Sequence, residues 1–267
     1  MTHETLNSNL KKLCLYKMAS QYIEIARSAE KKQSTYEQYL ASLAESELAY
    51  KKENRIKRHI AEAKLPYLKR IESYDWSQRT GFSLKEFNRL AEGHFVREAV
   101  NIVFYGTFGV GKTHLSTALA INLCANGYRC YFTSTHALIE QLLTAKQTLS
   151  LAQLMKKLDR FDLIICDELG YIPQTKDGAD LFFQLISQRD ERKSFLFTTN
   201  LTYSEWDKVF LNPLSTAAAV DRIIHKNETF HIKGPSWRAE AAKKRNEEKT
   251  KLTKKETNNI SQATAEN

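Results

Sequence analysis

Apolar positions recur at spacings of three and four over the N-terminal part of the chain, then gather past about residue 100 into short continuous runs. Leu6, Leu10 and Leu13 set the first pattern, and Leu40, Leu43 and Glu47, with Leu48 beside it, continue it. Residues 1–76 contain no Gly, a single Pro (Pro66) and much Ala, Leu, Glu and Lys, a helix-forming composition. This predicts a small all-α domain over 1–76. Its periodicity breaks around 31–35, where Ser34 or Thr35 can cap the next helix.

The second pattern predicts strands at 102–105, 129–133, 163–166, 195–199 and 229–232. Between them fall helices at 114–124 (stopped at Asn126-Gly127), from a cap at Thr135 through 143, at 151–158 and at 178–188. Continuous apolar strands alternating with helices predict a parallel sheet covered on both faces. The α/β domain is expected over 77–240, joined to the first through Asp75-Trp76 and Thr80-Gly81-Phe82. Residues 241–267, rich in Lys, Glu and Asn, read as a disordered, solubilising tail.

Composition narrows the function classes. No apolar run reaches membrane-spanning length and the first residues lack a signal-peptide pattern, so a cytoplasmic protein is expected. Cys14, Cys124, Cys130 and Cys166 are scattered without a C-x-x-C pair, which argues against zinc and a disulfide framework; Cys166 reads as a core residue. The net charge of +9 favours an anionic partner, nucleic acid first. Positive charge concentrates at 51–70, where Lys51, Lys52, Arg55, Lys57 and Arg58 lead a run that also holds Lys64, Lys69 and Arg70, against Glu53 and Glu62. Such a helix can lie along a DNA backbone without reading bases, or be an ordinary solvated face.

The chemistry starts at Gly106-Thr107-Phe108-Gly109-Val110-Gly111-Lys112-Thr113, after a strand and before a helix. In that context the pattern is a phosphate-binding loop: glycines let successive N–H groups turn inward, and the helix adds its positive end. Lys112 is placed for the β- and γ-phosphates of ATP, and the Thr113 hydroxyl for Mg²⁺. Asp167 ends the apolar run at 163–166 and Glu168 follows it. Carboxylates at a strand's C-terminal end face the ligand crevice of an open α/β sheet. Asp167 is expected to act on Mg²⁺ and Glu168 to polarise the water that attacks the γ-phosphate, which points to hydrolysis. Asn200 closes the strand at 195–199, where it can orient that water; alone, it reads as a turn residue. Arg222 is a candidate arginine finger, or else a local ion pair with Asp221 or Glu228.

From the N-terminal helices through Arg238 the chain resembles the IS21-type transposition helper ATPases, the IstB-like branch of the AAA+ superfamily, close to the DnaC-type helicase loaders. The resemblance is carried by Leu48-Ala49-Tyr50, Gly111-Lys112-Thr113-His114-Leu115, Asp167-Glu168-Leu169-Gly170-Tyr171, Thr199-Asn200-Leu201, Ser204-Glu205-Trp206 and Gly234-Pro235-Ser236-Trp237-Arg238. It implies a P-loop AAA+ core without a full lid, an ATPase that assembles on double-stranded DNA and works with an IS21-type transposase. It also implies a homo-oligomer with ATP sites at subunit interfaces. Arg222 would then serve a neighbour's ATP, His114 would belong to the nucleotide loop, and Arg238 would be a second arginine sensor. Trp237 stands where the family has Tyr, and Thr107-Phe108 where it usually has a Pro; the latter positions contribute mainly backbone. A helicase loader acting on single strands is the alternative reading. A small-molecule kinase fits less well, because no acceptor lid is evident.

Overall fold

The computed structural model describes residues 3–171, 175–210, 213–237, 239, 242, 243 and 245. Its contacts divide the chain into two compact units, 1–59 and 60–267. The compositional change near 76 and this division do not coincide. Residues 62–74 belong to the second unit: the Ala63 carbonyl accepts from Phe132 N–H, Glu62 pairs with Arg129 at 2.9 Å, and the buried Tyr74 donates its hydroxyl to the Val110 carbonyl at 3.0 Å.

The first unit is helical, built from α1 (His3–Lys12), α2 (Tyr16–Lys31) and most of α3 (Tyr36–Glu62). Thr35 caps α3 in reciprocal bonds with Gln38. Few apolar side chains are deeply buried, chiefly Ala19, Tyr22 and Leu43. Glu47 takes a core position because its carboxylate caps α2, accepting from Lys17 N–H at 2.8 Å and Met18 N–H at 2.9 Å. That explains a charged residue on an otherwise apolar stripe.

The second unit begins its regular elements with a 3₁₀ turn (Ile71–Ser73) and two short helices, α4 (Leu84–Ala91) and α5 (His94–Arg97). Sequence periodicity predicts no element here. A Ser83–Glu86 capping box starts α4. Then come β1 (Asn101–Tyr105), α6 (Lys112–Ala125), β2 (Cys130–Ser134), α7 (Thr135–Gln147), α8 (Leu151–Leu158) and β3 (Leu163–Leu169). The chain closes with α9 (Lys176–Arg189), β4 (Ser194–Thr199), α10 (Asp207–Phe210), α11 (Pro213–His225) and β5 (Asn227–His231). Ser134, not Thr135, caps α7, accepting from Ala137 N–H, while Thr135 is turned inward to Asp167.

All strand pairs are parallel, in the order β2-β3-β4-β1-β5. β1 is the switch point: the chain leaves it toward β2 on one side and ends at β5 on the other. Ligands of open α/β sheets bind outside the strand ends at such a point. Strand alternation splits the core in two. Ile102, Phe104 and Ile165 pack with α4 and α6 on one face, and Val103, Ile164 and Phe197 with α7, α9 and α11 on the other. Cys124, Cys130 and Cys166 are buried thiols. Among the described residues no helix is long and apolar enough to cross a membrane.

Candidate functional site

A cavity of about 630 Å³ opens at the C-terminal ends of β1, β3 and β4, within the usual size of small-molecule sites. One wall is the loop between β1 and α6. Gly109 and Gly111 have φ of +78° and +99°, where side-chain-bearing residues are strained. Space also forbids substitution: a Cβ on Gly109 would lie 2.1 Å from Ser236 Oγ, and one on Gly111 2.6 Å from the Tyr74 ring. The loop ends as the N-terminus of α6, whose free N–H groups favour an anion. Lys112 folds over the loop, its ammonium donating to the carbonyls of Gly106 at 2.6 Å and Thr107 at 2.9 Å. Phe108, Gly109, Gly111, Lys112, Thr113 and His114 line the cavity, whereas Val110 is fully buried and serves as the loop's anchor.

Opposite lies the end of β3. The Thr113 hydroxyl donates to the Asp167 carboxylate, 3.1 Å from Oδ1 and 3.0 Å from Oδ2. Thr198 on β4 donates to the same Oδ1. Burial raises the Asp167 pKa; the Thr198 and Thr113 hydroxyls, and Lys112 farther off, pull it down, while Glu168 pushes it up. Thr113 and Asp167 together present the hard oxygen donors that suit Mg²⁺ held jointly with phosphate oxygens and water. Among the described residues there is no denser cluster of His, Cys, Asp and Glu. Glu168 is exposed and lines the cavity with Asn200, Thr198 and Thr199. The arrangement therefore offers a phosphate cradle, a buried carboxylate for a metal and a solvent-facing carboxylate beyond it.

The far wall was not legible in the sequence. Tyr67, Lys69 and Ser73 line it, so part of the basic run at 51–70 faces the nucleotide cavity. His114 ties that segment down, its Nε2 lying 2.9 Å from the Arg70 carbonyl, and burial lowers its pKa. Trp237 also lines the cavity, its backbone N–H donating to the Gly109 carbonyl and its ring stacked under the buried Arg79 guanidinium at 4.3 Å. Arg245 lines the wall too, from within the stretch read as a tail.

Arg222 stands outside this cavity. It sits on α11 with its guanidinium 5.0 Å from the Phe183 ring and Nε 3.9 Å from Asp190, not beside Asp221 or Glu228; Glu228 instead pairs with Arg89. Within one subunit, then, the fold does not bring Arg222 together with Lys112 and Glu168. Arg238 lies outside the described residues. In the first unit Lys51, Lys52, Arg55, Lys57 and Arg58 are all exposed on α3, with Glu47 and Glu53 each engaging one lysine.

Residues 8–246 match the IstB-like ATP binding protein family. The chain belongs to that family. It is 36% identical over 220 residues to an insertion sequence ATP-binding protein of Sinorhizobium fredii, covering 82% of this chain and 74% of that one. It is 31% identical to the insertion sequence IS21 ATP-binding protein of Pseudomonas aeruginosa, covering 82% and 83%. Among solved structures, AMPPCP-bound DnaA from Aquifex aeolicus superimposes with a TM-score of 0.51 at 17% identity, over 63% of this chain and 51% of that one. That likeness shows the fold alone, and the family is one of ATP-binding proteins.

Proposed function

We propose that this IstB-like protein is a Mg²⁺-dependent, DNA-stimulated ATPase that assists an IS21-type transposase. The observation that carries the hydrolytic reading is the meeting of the phosphate loop, the buried Asp167 and the exposed Glu168 at one cavity. The loop N–H groups and Lys112 bind and orient the phosphates. Thr113 and Asp167 would hold Mg²⁺, which when bound shields phosphate charge. Glu168, facing solvent, holds the attacking water and takes its proton, and Asn200 orients that water.

Two features support self-assembly on duplex DNA. Arg222 lies outside its own subunit's cavity, beside Asp190 and the Ala218 carbonyl, which is compatible with its serving a neighbouring subunit's ATP, where a guanidinium stabilises transition-state charge. The exposed cations of α3 meet phosphates without reading sequence. The partner transposase is inferred from the insertion-sequence relatives.

The test is ATP hydrolysis with and without double-stranded DNA, over a range of protein and salt concentrations. Stimulation by duplex, rising more steeply than linearly with protein, is expected; Lys112→Ala serves as the control that loses nucleotide. Stimulation by single strands alone would favour a helicase loader, and no hydrolysis would remove the role given to Glu168. Charge reversal at Arg55 and Arg58 should weaken DNA binding and flatten its salt dependence.

A further inference from the structure

Asp167 and Glu168 follow one another in β3, and a regular strand turns consecutive side chains to opposite faces. Here the ladder to β4 shifts register. Cys166 pairs with Phe197 and Leu169 with Thr199, so Asp167 and Glu168 together oppose Thr198 alone. This is a one-residue bulge, and Glu168 occupies it with φ +59°, a left-handed conformation unusual for a residue with a side chain. Such geometry persists only where its surroundings hold it.

Three buried threonine hydroxyls do the holding. Thr135 donates to the Asp167 carbonyl at 3.1 Å, and Thr199 to the Leu169 carbonyl at 2.9 Å. The Thr198 hydroxyl makes two bonds with different partners: it accepts from Glu168 N–H at 2.9 Å and donates to Asp167 Oδ1. Its single proton is committed to Asp167 and a lone pair to Glu168. The Asp167 carboxylate and the Glu168 backbone amide are therefore tied to one oxygen, on a side chain that is 1% exposed.

We propose that Thr198 is a positioning residue for hydrolysis: its hydroxyl locks the bulge that turns the Glu168 carboxylate into the cavity, while Thr113 holds the Asp167 carboxylate independently. The role rests on the hydrolytic reading above. It does not extend to nucleotide binding, because the phosphate loop makes no bond to Thr198 among those described.

The test compares Thr198→Val, which keeps shape and loses the hydroxyl, with Thr198→Ser, which keeps the hydroxyl. Three quantities are measured on the full-length protein: affinity for a fluorescent ATP analogue, kcat and KM for ATP, and hydrogen exchange of the Glu168 amide without nucleotide. Thr198→Val should bind the analogue within about 2-fold of wild type and lose roughly 10- to 100-fold in kcat at little-changed KM, the scale of a small misplacement of a reacting group. Its Glu168 amide should exchange faster. Thr198→Ser should recover most of both. Wild-type kcat in Thr198→Val, or an equally protected Glu168 amide, would overturn the proposal. If Thr198→Val does not fold, a Thr198→Ser protein with kcat as low as a Glu168→Gln protein would overturn it as well. Wild-type protein without ATPase activity would instead overturn the hydrolytic reading and this role with it; an active wild type and an equally active Thr198→Val would overturn this role alone.

Discussion

Glu47→Ala is expected to destabilise the first unit and leave the nucleotide-binding cavity proposed above intact. The carboxylate is 3% exposed and accepts two amide protons at the start of α2, from Lys17 and Met18. A hydrogen bond to a charged group is worth about 1.5–3 kcal/mol and a lost N-cap about 0.5–2 kcal/mol. Partial rehydration of the freed amides keeps the two losses from adding fully, so a cost of about 2–4 kcal/mol is expected. The whole unit spans 59 residues. At roughly 0.05–0.15 kcal/mol per residue its total stability is about 3–9 kcal/mol. The substitution thus removes a large share of it. Glu47→Gln keeps one acceptor oxygen and should cost about half as much. Denaturant melts followed by circular dichroism, with hydrogen exchange of the Lys17 and Met18 amides, measure the loss. Binding of a fluorescent nucleotide reports the second unit and should not change. If Glu47→Ala melts within about 0.5 kcal/mol of wild type, the scale of an inert surface change, Glu47 is not the cap that holds α2.

Glu168→Gln should bind ATP normally and hydrolyse it roughly 10²- to 10⁴-fold more slowly, because the proton acceptor is gone; equal single-turnover rates would refute the assignment. Arg222→Ala should lower turnover comparably and be partly rescued by mixing with subunits that carry Arg222 but lack Glu168. Unaltered turnover would leave Arg222 as the partner of Asp190 and Phe183 only. Asp167→Asn should raise the melting temperature of the nucleotide-free protein at neutral pH while weakening Mg²⁺-dependent nucleotide binding. The sign follows from burial: the folded pKa of Asp167 lies above its unfolded value, so its contribution to stability is present at low pH and lost as pH rises through the folded value. The melting difference between Asp167→Asn and wild type should accordingly close as pH is lowered; a constant difference would refute the ionisation argument.

The parallel sheet was legible because each strand is a continuous apolar run, and the phosphate loop because its glycines, lysine and threonine carry the chemistry at fixed spacing. Strand and helix ends were less so. Ser134 caps α7 because Thr135, the other capping type, is spent on the Asp167 carbonyl, a tertiary demand that local sequence does not display. The contact division falls at 59/60, ahead of the compositional change near 76: residues 60–76 lack Gly and continue the Lys- and Glu-bearing pattern of the helices before them, yet Ala63 and Tyr74 pack in the core of the second unit. Lys69, read as part of the basic run, lines the cavity. A residue that sequence logic passed over, Thr198, sits inside an apolar strand, where threonine reads as a β-former. Only the register shift at Cys166 and Leu169 gives its hydroxyl two acidic neighbours to serve.

That shift also explains how two adjacent carboxylates come to stand in different environments. With regular pairing, Asp167 and Glu168 would face opposite sides of the sheet. The bulge keeps Asp167 under Thr113, where burial and two hydroxyls define its state, and swings Glu168 out to solvent, where water is available. Neither environment suits the other's role, since an exposed carboxylate holds a metal loosely and a buried one has no water to activate. On the proposed hydrolytic reading, binding and hydrolysis are separable in this chain. Changes at Gly109, Gly111 or Lys112 are then expected to act on nucleotide binding, and changes at Thr135, Thr198 or Thr199, which hold the bulge, on the geometry of Glu168.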